Sequence, residues 1–406
     1  MSFDFVLRDC HIEPGQPLLD IGVAAGKIAA MAPGLPHEGP SESAGGRYVS
    51  AGLVETHIHL DKAGILGRCP ICEGTLAEAV ALTAAAKAAF TEDDVYARAR
   101  HVLEQAIGHG TTRLRTFVEI DPRAGTRSFR ALRRLKADYA YLIDIEICAF
   151  AQEGLTQEME TLAMLDLACR EGADLVGGCP YTDPDPARHI ELIFDLAEQH
   201  GMPVDFHIDF DLSPQRSNLA SVIAETRRRG FAGKVSLGHV TQLSALAAEQ
   251  RDAIADALAA AGIAVTVLPA TDLFLLGRDH DHLVPRGLTP AHLLARRGVV
   301  TSLATNNVLN PFTPFGDASL IRMANFYANV AQVTLADDMD QVVRMITSDA
   351  AKMLGAPYGL SVGAPADMVI FDAPDAVSAV RQIAPALAGW KRGHPSFRRA
   401  AVEVYR

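Results

Sequence analysis

The sequence has few cysteines and no apolar run long enough to cross a membrane. Six cysteines in 406 residues are too few for a disulfide framework, which predicts a cytoplasmic protein with reduced thiols. The longest apolar stretch, 257–271, contains Thr266 and Pro269, whereas a spanning helix needs about 20 apolar residues. The opening segment MSFDFVLRDC carries two acidic residues and lacks the apolar region of a secretory signal. We therefore expect no contact with a membrane.

Basic residues are also in short supply. The chain has 37 Lys and Arg against 49 Asp and Glu, a net charge of −12, which disfavours non-specific binding to nucleic acid. Only 21% of residues are charged while 49% are hydrophobic, a composition typical of a globular protein with a large core. The sequence contains no Walker loop, which disfavours P-loop ATPases.

The centre of the chain alternates short apolar runs with helical patterns. This rhythm predicts βα units and a parallel sheet. Eight such units over about 300 residues fit a (β/α)8 TIM barrel, whose catalytic groups lie at the carboxyl ends of the strands. A doubly wound open sheet is the alternative, weakened by the lack of a glycine-rich phosphate loop. The predicted strands are residues 53–59, 112–118, 141–150, 174–178, 203–207, 234–239, 263–268 and 299–305.

Both ends of the chain have a different character, with short alternating strands separated by turns. The turn-rich stretch 34–46 marks a boundary, and strand patterns return at 366–371 and 401–405. We therefore predict two domains: a β-sandwich made from residues 1–50 and 356–406, and a barrel formed by residues 51–355. Within the barrel, Thr91 begins a helix with a capping-box-like start at Asp94. A second helical pattern extends over 243–261.

Histidines fall where the barrel hypothesis expects functional residues. His57 and His59 end the first predicted strand, and side chains two residues apart on a strand point to the same face. His207 ends the fifth strand and His239 the sixth. A lone histidine is more often structural, but recurrence at three strand ends favours a metal site. By contrast, Cys69 and Cys72 form a C-x-x-C pair without a second pair, which is weak evidence for zinc.

Several motifs resemble the amidohydrolase superfamily, in the branch that includes bacterial cytosine deaminase and N-isopropylammelide amidohydrolase. HIHLDKA at 57–63 resembles its metal-binding opening. The resemblance extends over essentially the whole chain. Its further motifs are GTLAE at 74–78, RTFVE at 115–119, AFAQEG at 149–154, GADLVGG at 172–178, LGR at 276–278, RGLTP at 286–290, NNVLNP at 306–311 and GAPADMVI at 363–370.

The resemblance implies a role for each matching residue. His57, His59 and His207 match the three histidine ligands, and His239 matches the histidine that contacts substrate or hydrolytic water. Gln152 matches a glutamine that hydrogen-bonds a pyrimidine or triazine edge. The fourth strand, 173–179, has no lysine to carboxylate as a bridge between two metals. One divalent ion, Zn²⁺ or Fe²⁺, is therefore expected.

The chain also departs from the family pattern. Asn306 stands where the family places a metal-binding aspartate that accepts a proton from the bound water. An amide oxygen can ligate a metal, but it does not accept a proton at neutral pH. Phe210 replaces the glutamate of cytosine deaminase that lies three residues beyond the fifth-strand histidine. Phe117 replaces a second-strand histidine of both named relatives.

Three interpretations of Asn306 remain open. In the first, the enzyme is active and Asp209 or His239 handles protons; Asp209 would share the face of His207 if the strand continued. In the second, the protein binds a heterocyclic ligand without turning it over. In the third, Asn306 substitutes for a natural aspartate, or a local shift recruits another carboxylate such as Asp272.

The predicted function is a metal-dependent hydrolase of C–N bonds that deaminates a small nitrogen heterocycle. His239, Asp209 and Asn306 are the predicted catalytic residues, with Asn306 also completing or bordering the metal site. Asn307, Gln152 and Lys62 are expected to orient the substrate, although Lys62 fits a solvated loop lysine equally well. The resemblance further implies a homo-oligomer.

Overall fold

The computed structural model describes residues 2–13, 15–400 and 402–405, and sixteen strands lie in these ranges. The first five are β1 Phe5–Cys10, β2 Leu19–Ala24, β3 Lys27–Ala32, β4 Ser41–Ser43 and β5 Val49–Ser50. The next eight are β6 Leu53–Ile58, β7 Thr111–Glu119, β8 Asp144–Ala151, β9 Leu175–Gly178, β10 Val204–Ile208, β11 Val235–His239, β12 Ile263–Val267 and β13 Thr301–Leu303. The last three are β14 Met368–Phe371, β15 Ala386–Lys391 and β16 His394–Arg398.

Strands β6 to β13 form one parallel sheet in chain order. The sheet closes because Asn306, just beyond β13, pairs with β6. The Asn306 amide donates to the His57 carbonyl at 2.8 Å, and the His59 amide donates to the Asn306 carbonyl at 2.8 Å. This closure confirms the predicted TIM barrel and excludes the open sheet.

All eight predicted barrel strands are present, with differences at their ends. The third begins at Asp144 rather than residue 141, because the exposed Tyr141 belongs to the turn that precedes it. The eighth is only Thr301–Leu303, since the chain leaves the sheet before Asn306. Every residue of β6 and β10 is buried, as expected for parallel strands covered on both faces.

Thirteen helices lie in the described ranges. They are α1 Leu76–Lys87, α2 Glu92–Gly108, α3 Arg127–Asp138, α4 Glu160–Arg170, α5 Pro186–His200, α6 Leu219–Arg229, α7 Ala248–Ala261, α8 Pro269–Leu275, α9 Ala291–Arg296, α10 Leu320–Val330, α11 Ala336–Arg344, α12 Ser348–Met353 and α13 Ala376–Gln382. None of them, within the residues described, is both long and apolar enough to cross a membrane.

Helix α2 shows how local sequence sets an element. The Thr91 hydroxyl accepts a hydrogen bond from the Asp94 amide at 3.2 Å, which confirms the predicted cap. Its apolar stripe is buried against the barrel and consists of Val95, Ala99, Val102, Leu103, Ala106 and Ile107. The second predicted helix starts late, because residues Thr241–Ala245 form a 3-10 turn and α7 begins only at Ala248.

Two four-stranded sheets are built from the chain ends. One has the order β3-β2-β1-β4, and the other, β16-β15-β14-β5, joins the C-terminal strands to the N-terminal β5. Trp390 in β15 stacks on Phe5 in β1, with ring centroids 5.5 Å apart. The domain boundaries at 50/51 and 355/356 stay a prediction.

The predicted strand at 401–405 is wrong for the residues that the structure describes. Residues 402–405 pair with no strand, and Ala401 lies outside the described residues. The side chains of Val402, Val404 and Tyr405 are exposed. Alternation alone does not make a strand, because without a sheet edge or apolar surface to cover it gains no burial. The strand that follows β15 is β16 instead.

Candidate active site

Three histidine rings converge at the carboxyl ends of the barrel strands. The Nε2 atom of His207 lies 2.8 Å from Nε2 of His57 and 3.0 Å from Nε2 of His59. Strand alternation places His57 on the inner face of β6 and His59 on the same side just beyond its end, and His207 faces them from β10. Burial lowers the pKa of each of the three rings well below its usual value. Neutral imidazoles with converging nitrogens are the form in which histidine binds a metal.

Aromatic rings enclose this cluster. The Phe117 ring in β7 lies against His57 with centroids 4.0 Å apart, and Phe150 in β8 lies 4.1 Å from His207. Phe117 is therefore a packing residue beneath the histidines. These apolar neighbours exclude water and so account for the desolvation of the imidazoles.

Asn306 lies beside the histidines in a left-handed backbone conformation, with φ of 58°. Asparagine tolerates this region better than most residues. Its side-chain Oδ1 is buried and accepts no hydrogen bond from any described residue. A buried oxygen without a partner is costly. An electropositive group bound next to the histidines would satisfy it.

Glu55, which the sequence analysis missed, connects the first and last barrel strands. Its carboxylate accepts hydrogen bonds from the His57 amide at 2.9 Å, the Thr305 amide at 3.1 Å and the Thr305 hydroxyl at 2.7 Å. Burial raises its pKa to about 7, although these hydrogen bonds oppose the shift. A charged residue inside a strand of the predicted parallel sheet, LVETHI, was the available signal.

His239 is oriented by a buried aspartate. Its Nδ1 lies 2.7 Å from Oδ1 of Asp272 in α8, and the second Asp272 oxygen accepts from the Leu268 amide at 3.3 Å. The Asp272 carboxylate therefore contacts His239, which argues against the alternative that it replaces Asn306. With Nδ1–H held by Asp272, Nε2 of His239 is the nitrogen left for the pocket.

Asp209 does not share the face of His207, because the strand does not continue to it. Strand β10 ends at Ile208, and Asp209 adopts a positive φ of 53°, which ends the alternation of side chains. Its carboxylate accepts from the Ser217 hydroxyl at 2.5 Å and the Asn218 amide at 2.9 Å. Asp209 therefore holds the loop before α6, and it does not line the pocket.

Lys62 is buried rather than solvated. Its Nζ donates to Oε1 of Glu119 at 2.6 Å and to Oε1 of Gln152 at 3.3 Å. It also lies over the Phe312 ring, 4.4 Å from the centroid. The Gln152 Nε2 donates to the Cys179 sulfur at 3.2 Å. The predicted Lys62 and Gln152 thus stand side by side in the pocket wall, each held by further buried groups.

A second carboxylate cluster lies behind Lys62. Glu119, Asp121 and Glu153 come close enough together to resemble a metal site. However, Nζ of Lys87 from α1 donates to Glu119 at 2.8 Å and to Asp121 at 2.5 Å, and it also bonds Glu153. The lysine ammonium therefore already supplies the cation. Sequence reasoning missed this network, because Lys87 reaches it from a helix.

Asn307 lines the pocket next to Asn306. Its Oδ1 accepts a hydrogen bond from Nδ2 of Asn310 at 2.7 Å. Asn310 is itself buried, and its oxygen accepts from the amides of Phe312 and Thr313 at 3.0 and 3.1 Å. The loop after β13 is thereby held in one arrangement.

These side chains enclose a small cavity whose open space is about 10 Å³, roughly that of one water molecule. None of the lining residues, within the described chain, carries a carboxylate. They are His59, Lys62, Leu76, Gln152, Tyr181, His207, Phe210, His239, Thr271, Asn306, Asn307 and Phe312.

The site thus combines a histidine cluster, an aspartate-oriented histidine and an amide-rich wall at the carboxyl end of a barrel. A family model described as the amidohydrolase family matches residues 73–397, most of the chain. The chain belongs to the amidohydrolase family. This confirms the resemblance and the predicted class of hydrolase, one that acts on C–N bonds.

Two curated relatives and one solved structure support the assignment. The chain is 29% identical to the pterin deaminase of Rhizobium rhizogenes over 326 residues, 79% of this chain and 74% of that protein. It is 26% identical to N-isopropylammelide isopropyl amidohydrolase of Pseudomonas sp. (strain ADP) over 394 residues, 91% of each. The 5-methylcytosine deaminase of Klebsiella pneumoniae superimposes with a TM-score of 0.93 at 27% identity, covering 99% of both chains.

Proposed function

We propose that this amidohydrolase is a metal-dependent deaminase or aminohydrolase of a small nitrogen heterocycle of the cytosine, pyrimidine or triazine kind. The observation that carries the proposal is the convergence of the Nε2 atoms of His57, His59 and His207 beside a small polar cavity. The names of the relatives described above each refer to a nitrogen heterocycle.

The residues present fit one divalent metal ion, Zn²⁺ or Fe²⁺. His57, His59 and His207 offer three neutral nitrogens, and the partnerless Oδ1 of Asn306 offers an oxygen. The segment 173–179 has no lysine to bridge a second ion, which supports a single metal. When bound, such an ion would supply a hydroxide nucleophile near neutral pH.

The chain's own side chains would handle the proton and the substrate. His239, with Nδ1–H held by Asp272, keeps Nε2 available to accept a proton and pass it to the leaving amine. Asn306 is neutral and takes no proton. Lys62, Gln152 and Asn307 would orient the ring. Asp209, with its carboxylate bound to the loop before α6, takes no part in this proposal.

A binding protein without turnover is the second candidate, and one observation favours it. No carboxylate lines the described cavity, although carboxylates commonly move protons in such reactions. A ligand could then bind to the same wall and remain unchanged. Turnover separates the two candidates.

We also propose a homo-oligomer from the family resemblance, a cytoplasmic location from the cysteine usage, and the absence of nucleic-acid binding from the net charge of −12. Sedimentation of the purified protein, with and without added DNA, tests the first and the last.

The proposed function is tested by metal content and turnover of one preparation. We expect close to one Zn or Fe per chain, and release of ammonia or an alkylamine from at least one member of a panel of aminopyrimidines, aminotriazines and aminopterins. His57→Asn should lose both. The matched control is His101→Asn, because His101 is exposed on α2. Full metal content without release from any compound would favour the binding protein, and no metal with no release would refute the proposal.

A further inference from the structure

The loop after β13 sets the orientation of one pocket amide. Backbone amides can only donate, so the Asn310 atom that faces the amides of Phe312 and Thr313 at 3.0 and 3.1 Å is its oxygen. The Nδ2 of Asn310 must then point the other way. It donates to Oδ1 of Asn307 at 2.7 Å and to the Lys62 carbonyl at 3.3 Å. Asn310 is fully buried, so water does not compete for these contacts.

This orientation determines what Asn307 offers to a ligand. Its Oδ1 is already occupied by Asn310. Its Nδ2 donates to no other side chain or carbonyl within the described residues, and Asn307 lines the cavity. Asn307 therefore presents the Nδ2 donor to the pocket, while its oxygen faces Asn310.

The orientation of Gln152 follows from the same reasoning on the opposite side of Lys62. An ammonium group can only donate, so the Gln152 atom 3.3 Å from Nζ of Lys62 is the oxygen. One N–H of the Gln152 amide donates to the Cys179 sulfur at 3.2 Å, and among the described residues the other N–H makes no hydrogen bond. Lys62 donates to Glu119 and Gln152 and likewise keeps one of its three protons.

We propose that these three groups, Nζ of Lys62, Nε2 of Gln152 and Nδ2 of Asn307, form a donor wall that selects heterocycles with acceptors along the facing edge. Exocyclic carbonyl oxygens fit it, whereas exocyclic amino groups place donor against donor. Asn310 is the positioning residue that holds Asn307 in its donor orientation. The inference rests on the proposed function, since it specifies which heterocycles bind.

The test compares two pyrimidine rings of the same size, one with hydrogen-bond acceptors and the other with donors as its exocyclic groups. Uracil carries two carbonyl groups, and 2,4-diaminopyrimidine carries two amino groups. Both dissociation constants are measured by calorimetric titration of the metal-containing protein, at a mildly alkaline pH where both rings are neutral, with ammonia release followed in parallel. We expect uracil to bind about tenfold to a hundredfold more tightly, because an unpaired buried donor carries a large penalty.

Asn310→Asp tests the positioning role. The aspartate keeps the acceptor for the Phe312 and Thr313 amides but has no Nδ2, so the Asn307 amide turns its nitrogen towards the new carboxylate and its oxygen towards the pocket. We expect the preference for uracil to fall at least about tenfold. Asn307→Ala, which removes the donor itself, should lower the preference as well. Asn329→Asp, on the exposed face of α10, adds the same charge and should leave it unchanged.

The outcomes distinguish the two proposals. If the wild-type protein binds heterocycles without preferring uracil, or if the preference survives in both Asn310→Asp and Asn307→Ala, the donor wall is wrong and the proposed function stands. If neither ring nor any member of the panel binds, the proposed function fails and the donor wall fails with it. Thermal unfolding of each variant establishes that it is folded. If Asn310→Asp does not fold, the uracil preference of Asn307→Ala alone tests the donor wall.

Discussion

His239 illustrates how a single side chain acquires a chemical role from its partner. Its backbone has a positive φ of 72°, and Thr289 donates to its carbonyl at 3.3 Å. The ring is then held between Asp272, 2.7 Å away, and Phe210, with centroids 4.3 Å apart. Asp272 fixes the His239 tautomer with hydrogen on Nδ1. The Phe210 ring makes an apolar contact with His239 and exchanges no proton with it.

Asp272→Asn tests this pairing. The amide preserves the size of the side chain but no longer stabilises Nδ1–H, so Nε2 is less able to accept a proton. We expect kcat for the best heterocycle to fall by about 10²–10⁴ with little change in KM. The control is Asp281→Asn in the exposed loop after α8. An unchanged kcat would show that Asp272 has no part in proton transfer.

Asn306→Asp tests the neutral oxygen beside the histidines. A carboxylate attracts a divalent ion more strongly than an amide does, so we expect the variant to lose its metal to a chelator at least about tenfold more slowly than wild type. Loss at the wild-type rate would mean that residue 306 does not reach the metal. In the same preparation, a large gain in kcat would identify a crippled site, and a loss would identify Asn306 as part of a working one.

At the scale of elements, buried ion pairs and apolar faces attach the helices to the barrel. Lys87 extends from the end of α1 into the carboxylates at the end of β7, where Glu119 also holds Lys62. Helix α2 instead depends on its apolar stripe. The buried ion pairs position the pocket wall, and the apolar faces supply stability. An intact buried ion pair contributes little to stability, although breaking it is costly.

Leu103→Ala measures the contribution of the α2 stripe. Leu103 is fully buried, so its truncation leaves a cavity. We expect the free energy of unfolding to fall by about 2–5 kcal/mol, measured by urea denaturation, with metal content unchanged. The control is Leu283→Ala, since Leu283 is 92% exposed. A loss as small as the control's would mean that the core closes around the gap.

The Glu119 network predicts a dependence of stability on pH. Burial alone would raise the pKa of Glu119, but the ammonium groups of Lys62 and Lys87 lower it to about 2. A carboxylate whose pKa is depressed in the folded state stabilises the fold above its unfolded pKa of about 4.3, and this contribution is lost as the pH falls towards 2.

Glu119→Gln should therefore be destabilised most near neutral pH. We expect the difference in unfolding free energy from wild type to shrink as the pH falls below about 4.3. Urea denaturation at a series of pH values measures it. Glu249→Gln, exposed on α7, should show no such trend. A constant difference for Glu119→Gln would indicate that its pKa is not depressed.

At the scale of the whole molecule, the barrel closes through the site itself. The backbone of Asn306 pairs with that of His57 and His59, and Glu55 joins β6 to Thr305. The residues that would hold a metal therefore also hold the first and last strands together. A ligand that binds only the folded state stabilises it by mass action.

Metal removal should for that reason lower thermal stability. At a metal concentration one hundred times its dissociation constant, the folded state gains about 2.7 kcal/mol. We expect a chelator to lower Tm and Zn²⁺ to restore it, as followed by calorimetry. His57→Asn should not respond to either treatment, whereas His101→Asn should respond like wild type. An equal response in both variants would place the bound metal elsewhere.

Much of the framework follows from local pattern. The eight barrel strands, the α2 cap at Thr91 and the strand-end positions of His57, His59, His207 and His239 were predicted from periodicity, since alternation along a strand and the common direction of parallel strands depend only on nearby residues. Alternation misled at 401–405, where the described residues find no surface to pack against.

The chemistry of the site required the tertiary structure. Glu55 meets Thr305 across 250 residues of chain, and His239 meets Asp272 across 33. The Asp209 side chain does not face the pocket, because its backbone is left-handed just beyond the end of β10. The sequence by itself determined which residues reach the carboxyl ends of the strands. Barrel closure decided which of them pair, because hydrogen-bond partners, tautomers and amide orientations depend on contacts between residues that are distant in the chain.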